Sequence, residues 1–395
     1  MRILLLALAL VFGTGAATPS PDDGTATLAP DTEARWVAFT LTQANQIRFR
    51  VLLDGRPVEA LLDTGASAST LSTRFALAAK LAPRPRGRVV AIGGEVATGW
   101  VGTSLLEFGG YARAGGGLYV IDLPARLTGN GGIDLIVGRD MLQPYALDID
   151  YTGRRFRLLP SGRMPFTGTR APLRIATVTA LGSNATAPLA YMTRVAIAGR
   201  EVTPVMVDTG DGTSLTLSRT IWRTLPLSPA PKRTSAIAYG AGGSVVYDLA
   251  TLPTLSLGTR AIDDVEVNIE PSGGFSDVSR SAGRIGLGLL QRYRVLLDPT
   301  AGHLVLGDAS AAPELPLRST SGLQLVREGQ ALRVLHVMRG SPAALGGWRT
   351  GERICAVDGD PVDADLTWPF GAPGRTVMLS LCGAGIRTIT LARFY

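Results

Sequence analysis

Residues 59–72 read EALLDTGASASTLS, and residues 201–218 read EVTPVMVDTGDGTSLTLS. In each, an apolar approach runs into Asp-Thr-Gly and leaves through Leu-Ser. Taken singly, Asp and Gly one residue apart form an ordinary turn. The chain offers few other groups for acid–base work. Its only histidines are His303 and His336, and its only cysteines are Cys355 and Cys382. His303, in DPTAGHLVLGD, reads as a turn entering a strand, and His336, in LRVLHVM, as a mid-strand residue; both read as structural. A Ser-His-Asp triad, a Cys-His pair or a His-rich zinc site therefore lacks material. Two carboxyl groups a hydrogen bond apart cannot both ionise cheaply, so they share one proton. Such a pair can deprotonate water with one member and protonate a carbonyl oxygen with the other. Asp63 and Asp208 are the candidate pair, titrating together, and the chemistry calls for no metal and no cofactor.

The surroundings of the two aspartates repeat in step. Asp63 and Asp208 lie 145 residues apart, Gly94 and Gly243 149, and Gly138 and Gly286 148. Gly138, Leu142, Gln143, Tyr145, Asp150 and Thr152 recur at identical spacing as Gly286, Leu290, Gln291, Tyr293, Asp298 and Thr300. Two unrelated turns would not keep step over that distance, so the chain holds two copies of one unit. Each copy consists of short Val/Leu/Thr-rich runs punctuated by Gly and Pro, which predicts a mainly β lobe. VVAIGGEVATGW predicts a β-hairpin with Ile92, Gly93 and Gly94 at its tip. In the second copy Tyr239-Gly240-Ala241-Gly242-Gly243 occupies the matching place.

Each copy resembles a retropepsin-like aspartic protease lobe, and the pair resembles the two-lobed pepsin arrangement within one chain. The residues that carry the resemblance are the apolar-apolar-Asp-Thr-Gly runs and the later segments Ile136-Val137-Gly138 and Arg284-Ile285-Gly286, over about residues 40–310. The resemblance implies two homologous β lobes around a pseudo-two-fold cleft, with Asp63 and Asp208 at its floor. It implies that the hydroxyls of Thr64 and Thr209 lock the loops together, while Gly65 and Gly210 let the backbone turn tightly beneath the carboxylates. The hairpin at Ile92–Gly94 becomes a flap that closes on substrate. The hairpin carrying Tyr239 is either a second flap or a plain surface hairpin. Asp140 reads as structural, since its counterpart is Gly288. Two departures stand out. Arg284 breaks an apolar pair, and the position after Asp-Thr-Gly holds Ala66 and Asp211 instead of a hydroxyl residue. Ala66 donates nothing to the dyad. Asp211 raises the dyad pKa if it faces the carboxylates and does little if it faces solvent, so the expected optimum is mildly acidic to near neutral.

The remaining chain gives context. The 395 residues are 46% hydrophobic and carry a net charge of +7 that comes from scattered arginines. Without a basic block or interleaved aromatics, this argues against a nucleic-acid partner. Residues 1–17 have the basic start, short apolar core and small-residue exit of a secretory signal, too short to span a bilayer. The polar, Pro-containing stretch 18–36 is expected to be a disordered leader. The N-terminal lobe is assigned to 37–170, the C-terminal lobe to 171–309 and a linker to 310–321. Residues 322–395 resemble a small α+β PDZ domain of bacterial type. That resemblance makes Gly322, Leu323, Gln324 and Leu325 a candidate loop for the carboxylate of a peptide or C-terminal ligand. Pro369 disfavours the helix that normally flanks such a groove, leaving a structural or lobe-docking role as the alternative. Cys355 and Cys382 fall on what that topology makes neighbouring strands. They either pair or remain buried free thiols, and the apolar character of both strands favours the thiols. The whole reads as an exported, monomeric aspartic endopeptidase acting on polypeptides. A catalytically inactive peptide-binding pseudoprotease or adaptor of the cell envelope is the alternative.

Overall fold

The computed structural model describes residues 5–6, 10–11, 24–124, 132–179, 186–309, 311, 318–363 and 371–395. The fold is mainly β and falls into two repeated lobes, a sheet they share and a C-terminal module. In the first lobe the strands are ordered Arg84–Ala91, Gly94–Gly102, Gly117–Ile121, Thr70–Ser72, Leu135–Val137, Arg56–Leu62 and Ile47–Leu53. In the second the order is Thr234–Gly240, Gly243–Leu257, Arg260–Glu270, Leu215–Ser218, Gly283–Ile285, Arg200–Val207 and Thr186–Ile197. The two orders correspond strand for strand, as the sequence repeat predicts.

Alternation sets which face each strand buries. In Ile47–Leu53, Ile47, Phe49, Val51 and Leu53 point into the core while Arg48, Arg50 and Leu52 point away. The strand that leads into each aspartate is buried on both faces near its end and reads as a continuous apolar run.

A six-stranded sheet joins the lobes, in the order Thr169–Pro172, His303–Asp308, Tyr293–Asp298, Tyr145–Asp150, Arg155–Pro160 and Val37–Ala38. Its central pair is the repeated segment meeting itself. Leu147 lies opposite Leu297, and Ile149 opposite Val295. The pseudo-two-fold relation between the copies therefore passes between these strands. Asp148, fully buried, accepts from Arg157 and from the opposite lobe's Arg294, which ties the seam with charge. The lobe boundary expected at residue 170 falls inside one strand of this sheet, because Thr169–Pro172 is recruited to pair with His303–Leu306.

Three other expectations are corrected. The leader expected to be disordered over 18–36 is ordered from Gly24 onward. Thr25–Leu28, rich in β-formers, pairs as an edge strand with Tyr111–Ala114, and Thr32–Ala34 forms one 3-10 turn. Before the leader, in the signal-like segment, Leu5–Leu6 runs parallel to Ala238–Tyr239 and Leu10–Val11 antiparallel to Val90–Ala91. The cysteines are bonded to each other. Ile354 and Leu381 lie opposite on adjacent strands, which brings the Cys355 and Cys382 Cα atoms to 5.2 Å, within bridging range. Finally, the loop Gly322–Leu325 is already committed. The Gly322 and Leu323 amides donate to the Ser319 and Ser321 hydroxyls, and Leu323 and Leu325 are buried in the module's own core. No amide of those two residues remains to hold a carboxylate.

The C-terminal module is a sheet ordered Leu323–Glu328, Ala331–Val337, Arg353–Val357, Thr376–Leu381 and Ile386–Thr390, with a short helix Pro342–Leu345. Ser341 caps that helix by accepting from the Ala344 amide, and Pro342 begins it. Pro369 lies outside the described residues. The bridge closes a loop over a sequence separation of 27. Under denaturing conditions without reductant the protein should take up no alkylating agent. Cys355→Ser should lower stability by about 3 kcal/mol; two added alkyl groups on wild type would refute the bridge.

Candidate active site

Each Asp-Thr-Gly loop begins where an apolar strand passes a neighbour and can no longer pair. Arg56–Leu62 runs parallel to Leu135–Val137, and the Asp63 amide makes the last bond, to Val137 O at 3.0 Å. In the second lobe the Asp208 amide donates to Ile285 O at 2.9 Å. The chain then turns under each carboxyl group, and the Oδ1 atoms accept the turn's own amides. Asp63 Oδ1 receives Gly65 and Ala66, both at 2.9 Å. Asp208 Oδ1 receives Gly210 at 2.9 Å and Asp211 at 3.1 Å. The second oxygen of each, Oδ2, is fully buried without such a donor.

Two loops become one site through the threonines. The Thr64 amide donates to Thr209 Oγ1 and the Thr209 amide to Thr64 Oγ1, both at 3.0 Å. Thr64 Oγ1 in turn donates to Val207 O at 2.7 Å, and Thr209 Oγ1 to Leu62 O at 2.8 Å. These four buried bonds, at about 1 kcal/mol apiece, fix the loops relative to each other and aim both carboxyl groups at one point. The glycines are required by that proximity. A Cβ on Gly65 would lie 2.5 Å from Asp208 Oδ1, and one on Gly210 2.4 Å from Asp63 Oδ2. The glycine of each later segment has the same kind of reason, since a Cβ on Gly286 would lie 2.3 Å from Asp211 O and one on Gly138 2.9 Å from Ala66 O.

Burial and mutual repulsion both push the dyad's titration upward. Asp63 is held well above the carboxylate range, first by desolvation and then by the charge of Asp208. Asp208 is pushed up to about 7 by desolvation and then by the charge of Asp211, while Arg284 pulls the other way. The pair is thus built to keep one shared proton.

Asp211 points neither at solvent nor freely at the dyad. Its Oδ1 accepts the Thr213 amide, and its Oδ2 accepts Arg284 Nε at 2.6 Å. Arg284 Nη1 reaches Glu270 at 2.6 Å and Nη2 reaches Tyr247 Oη at 3.3 Å, all buried. Arg284 therefore does not disturb the packing at its position; it is the cation that two buried carboxylates require. The first lobe has Ala66 and Ile136 at the corresponding places, packed in an apolar cluster with Ile121 and Leu123. Sequence reading also missed Gln46, whose buried carboxamide crosses from the first lobe to donate to Gly210 O at 2.7 Å. A polar residue just before an alternating strand gives no local sign of that reach.

Both glycine-tipped hairpins cover the site. The Gly242 amide donates to Ile92 O at 3.0 Å, and a Cβ on Gly93 would lie 2.4 Å from Gly243 O. The hairpin carrying Tyr239 therefore meets the Ile92–Gly94 hairpin tip to tip, with Tyr239 half-buried behind its tip. Beneath the first flap a cavity of about 370 Å³ is walled by Ile92, Gly93, Val245, Tyr247, Phe275 and Val278. Asp140 stands apart from the dyad and accepts from the Ser69 hydroxyl at 2.7 Å. Gly322, Leu323, Gln324 and Leu325 belong to the C-terminal module and are not brought to the dyad.

Two segments, 49–141 and 193–287, each match the profile of the aspartyl protease family. Among solved structures, EIAV protease in complex with the inhibitor HBY-793 is similar at 26% identity. The alignment covers 26% of this chain and 90% of that one, with a TM-score of 0.21. No curated protein matches the chain. Both matched segments contain one Asp-Thr-Gly loop and its crossing strand, so the chain carries two repeated lobes that are aspartyl-protease-like.

Proposed function

We propose that this protein is an exported aspartic endopeptidase. The observation that carries the reading is the reciprocal threonine lock, which leaves the Oδ2 atoms of Asp63 and Asp208 buried, facing and unsatisfied. A pair that shares one proton is set up for hydrolysis of an amide. The ionised carboxylate removes a proton from water as its oxygen bonds the carbonyl carbon, and the carboxylic acid gives its proton to the carbonyl oxygen. Return of a proton to the amide nitrogen then breaks the C–N bond. The substrate is a polypeptide lying extended between the flaps and the dyad. The pairing of Leu5–Leu6 and Leu10–Val11, in the signal-like segment, with the two flap hairpins is the pattern such a strand would use. Export is supported by the signal-like residues 1–17 and by the Cys355–Cys382 bond, which suits an oxidising compartment.

Asp63→Asn or Asp208→Asn should each abolish cleavage of denatured casein and leave the fold intact. The double substitution should cost little more, because the two act as one unit. Near wild-type turnover by Asp208→Asn would refute the dyad. The active form holds one proton, so the alkaline limb of the pH–rate profile marks its loss. A raised pKa moves that limb upward, giving an optimum between mildly acidic and neutral; an optimum at about pH 2–3 would contradict it. Asp211→Ser removes a negative charge and leaves Arg284 facing Asp208, so the limb should move down by roughly one unit. Arg284→Met strands Asp211 and Glu270 without a cation. It should lower unfolding free energy by about 3–5 kcal/mol, measurable as a fall in the urea midpoint.

A further inference from the structure

The two flaps meet at their tips but are held in different ways. Each has two residues of the signal-like segment along its hairpin, Leu10–Val11 on the first and Leu5–Leu6 on the second. The first flap buries Ile92 against Met192, Met206 and Phe275 of the second lobe, while its Arg88–Glu95 pair is exposed on both sides. The second flap is gripped by the C-terminal module through its strand Thr234–Gly240.

The grip is made largely of main-chain bonds. The buried carboxamide of Gln324 accepts the Ile237 amide at 2.7 Å and donates to Ile237 O at 3.2 Å. It satisfies both polar groups of that residue as a neighbouring strand would. Two residues back, the Ser235 hydroxyl lies 2.8 Å from His336 Nε2 and accepts the Arg339 amide at 3.2 Å. Thr234 Oγ1 donates to Arg339 O at 2.8 Å, and the Arg339 guanidinium bonds Thr234 O and Asp248 on the return strand. Apolar contact extends the grip. Leu335 and Val326 of the module pack in one cluster with Ile237, Tyr239 and Ala241 of the second flap and with Val89, Ala91 and Val96 of the first, and that cluster includes Ala66 beside the dyad.

We propose that the C-terminal module is a clamp on the second flap, with Gln324 and Arg339 as positioning residues, so that the first flap opens more readily than the second. The proposal builds on the protease reading and assigns the module a part in it. A flap already held closed does not have to be ordered by the substrate. Loosening it makes binding supply that ordering, which weakens binding without altering the chemistry once substrate is seated.

Hydrogen exchange on the full chain tests the clamp without any need for activity. Amides of 234–240 should exchange at least about tenfold more slowly than those of 84–91. Gln324→Ala should raise exchange over 234–240 by about tenfold, the loss of two hydrogen bonds, and leave 47–62 unchanged. Arg339 is exposed on the surface, so Arg339→Ala gives the same test with little risk to folding. On a peptide substrate both variants should raise KM several-fold while kcat stays near wild type. A merely destabilised protein would instead lose kcat at constant KM. Equal exchange of the two flaps in wild type, or variants that leave 234–240 unchanged, would overturn the clamp. Absence of any cleavage by wild type would strike the protease reading instead and leave the exchange result to judge the clamp.

Discussion

Two carboxyl groups buried face to face repel each other, and the rest of this structure is arranged to hold them there. The arrangement survives because each loop is locked by the other's threonine, so neither carboxyl group can retreat without breaking both ends of the lock. The lock in turn needs two strand ends presented in mirror fashion. That is what the repeated strand order supplies: each aspartate leaves its sheet at the same crossing, beside the same apolar-Gly segment. The shared six-stranded sheet fixes the halves below the dyad, and the flap tips meet above it. The shared proton is then the least costly state of a geometry that the backbone imposes.

Within that symmetric frame the two halves have diverged in charge. Behind Asp63 the wall is alanine and isoleucine; behind Asp208 it is an aspartate, an arginine, a glutamate and a tyrosine in one buried network. Burying such a set yields stability only when every charge is paired, and here Arg284 has a partner on each side. The network links the dyad to the cavity under the first flap, because Tyr247 and Glu270 belong to both.

The dyad and the two-lobed β architecture were legible in the sequence because both are recorded locally and twice. A single Asp-Thr-Gly is a turn; two in phase with matching glycines are a repeat, and the repeat carries the fold. What was not legible depends on residues far apart in the chain. Arg284 looks like a fault in an apolar pair until Asp211, 73 residues earlier, is seen to meet it. Gln46 and Gln324 have the same character, since each spends its carboxamide on the main chain of another unit. The leader's ordered stretch was concealed by its polar composition, yet an open sheet edge was enough to recruit Thr25–Leu28. The cysteine pair was ambiguous because apolar flanks suit a buried thiol and a bridge equally well; strand register decided it.

Joining both halves in one chain has a further consequence for the unlike walls behind the two aspartates. In a cleft with equal halves, a peptide lying one way round and the same peptide reversed meet identical surroundings. Here the halves differ in the charge buried behind each aspartate, since Asp211 and Arg284 back Asp208 while Ala66 and Ile136 back Asp63. The cleft therefore has a polarity of its own, written into Ala66 and Ile136 on one side and Asp211 and Arg284 on the other.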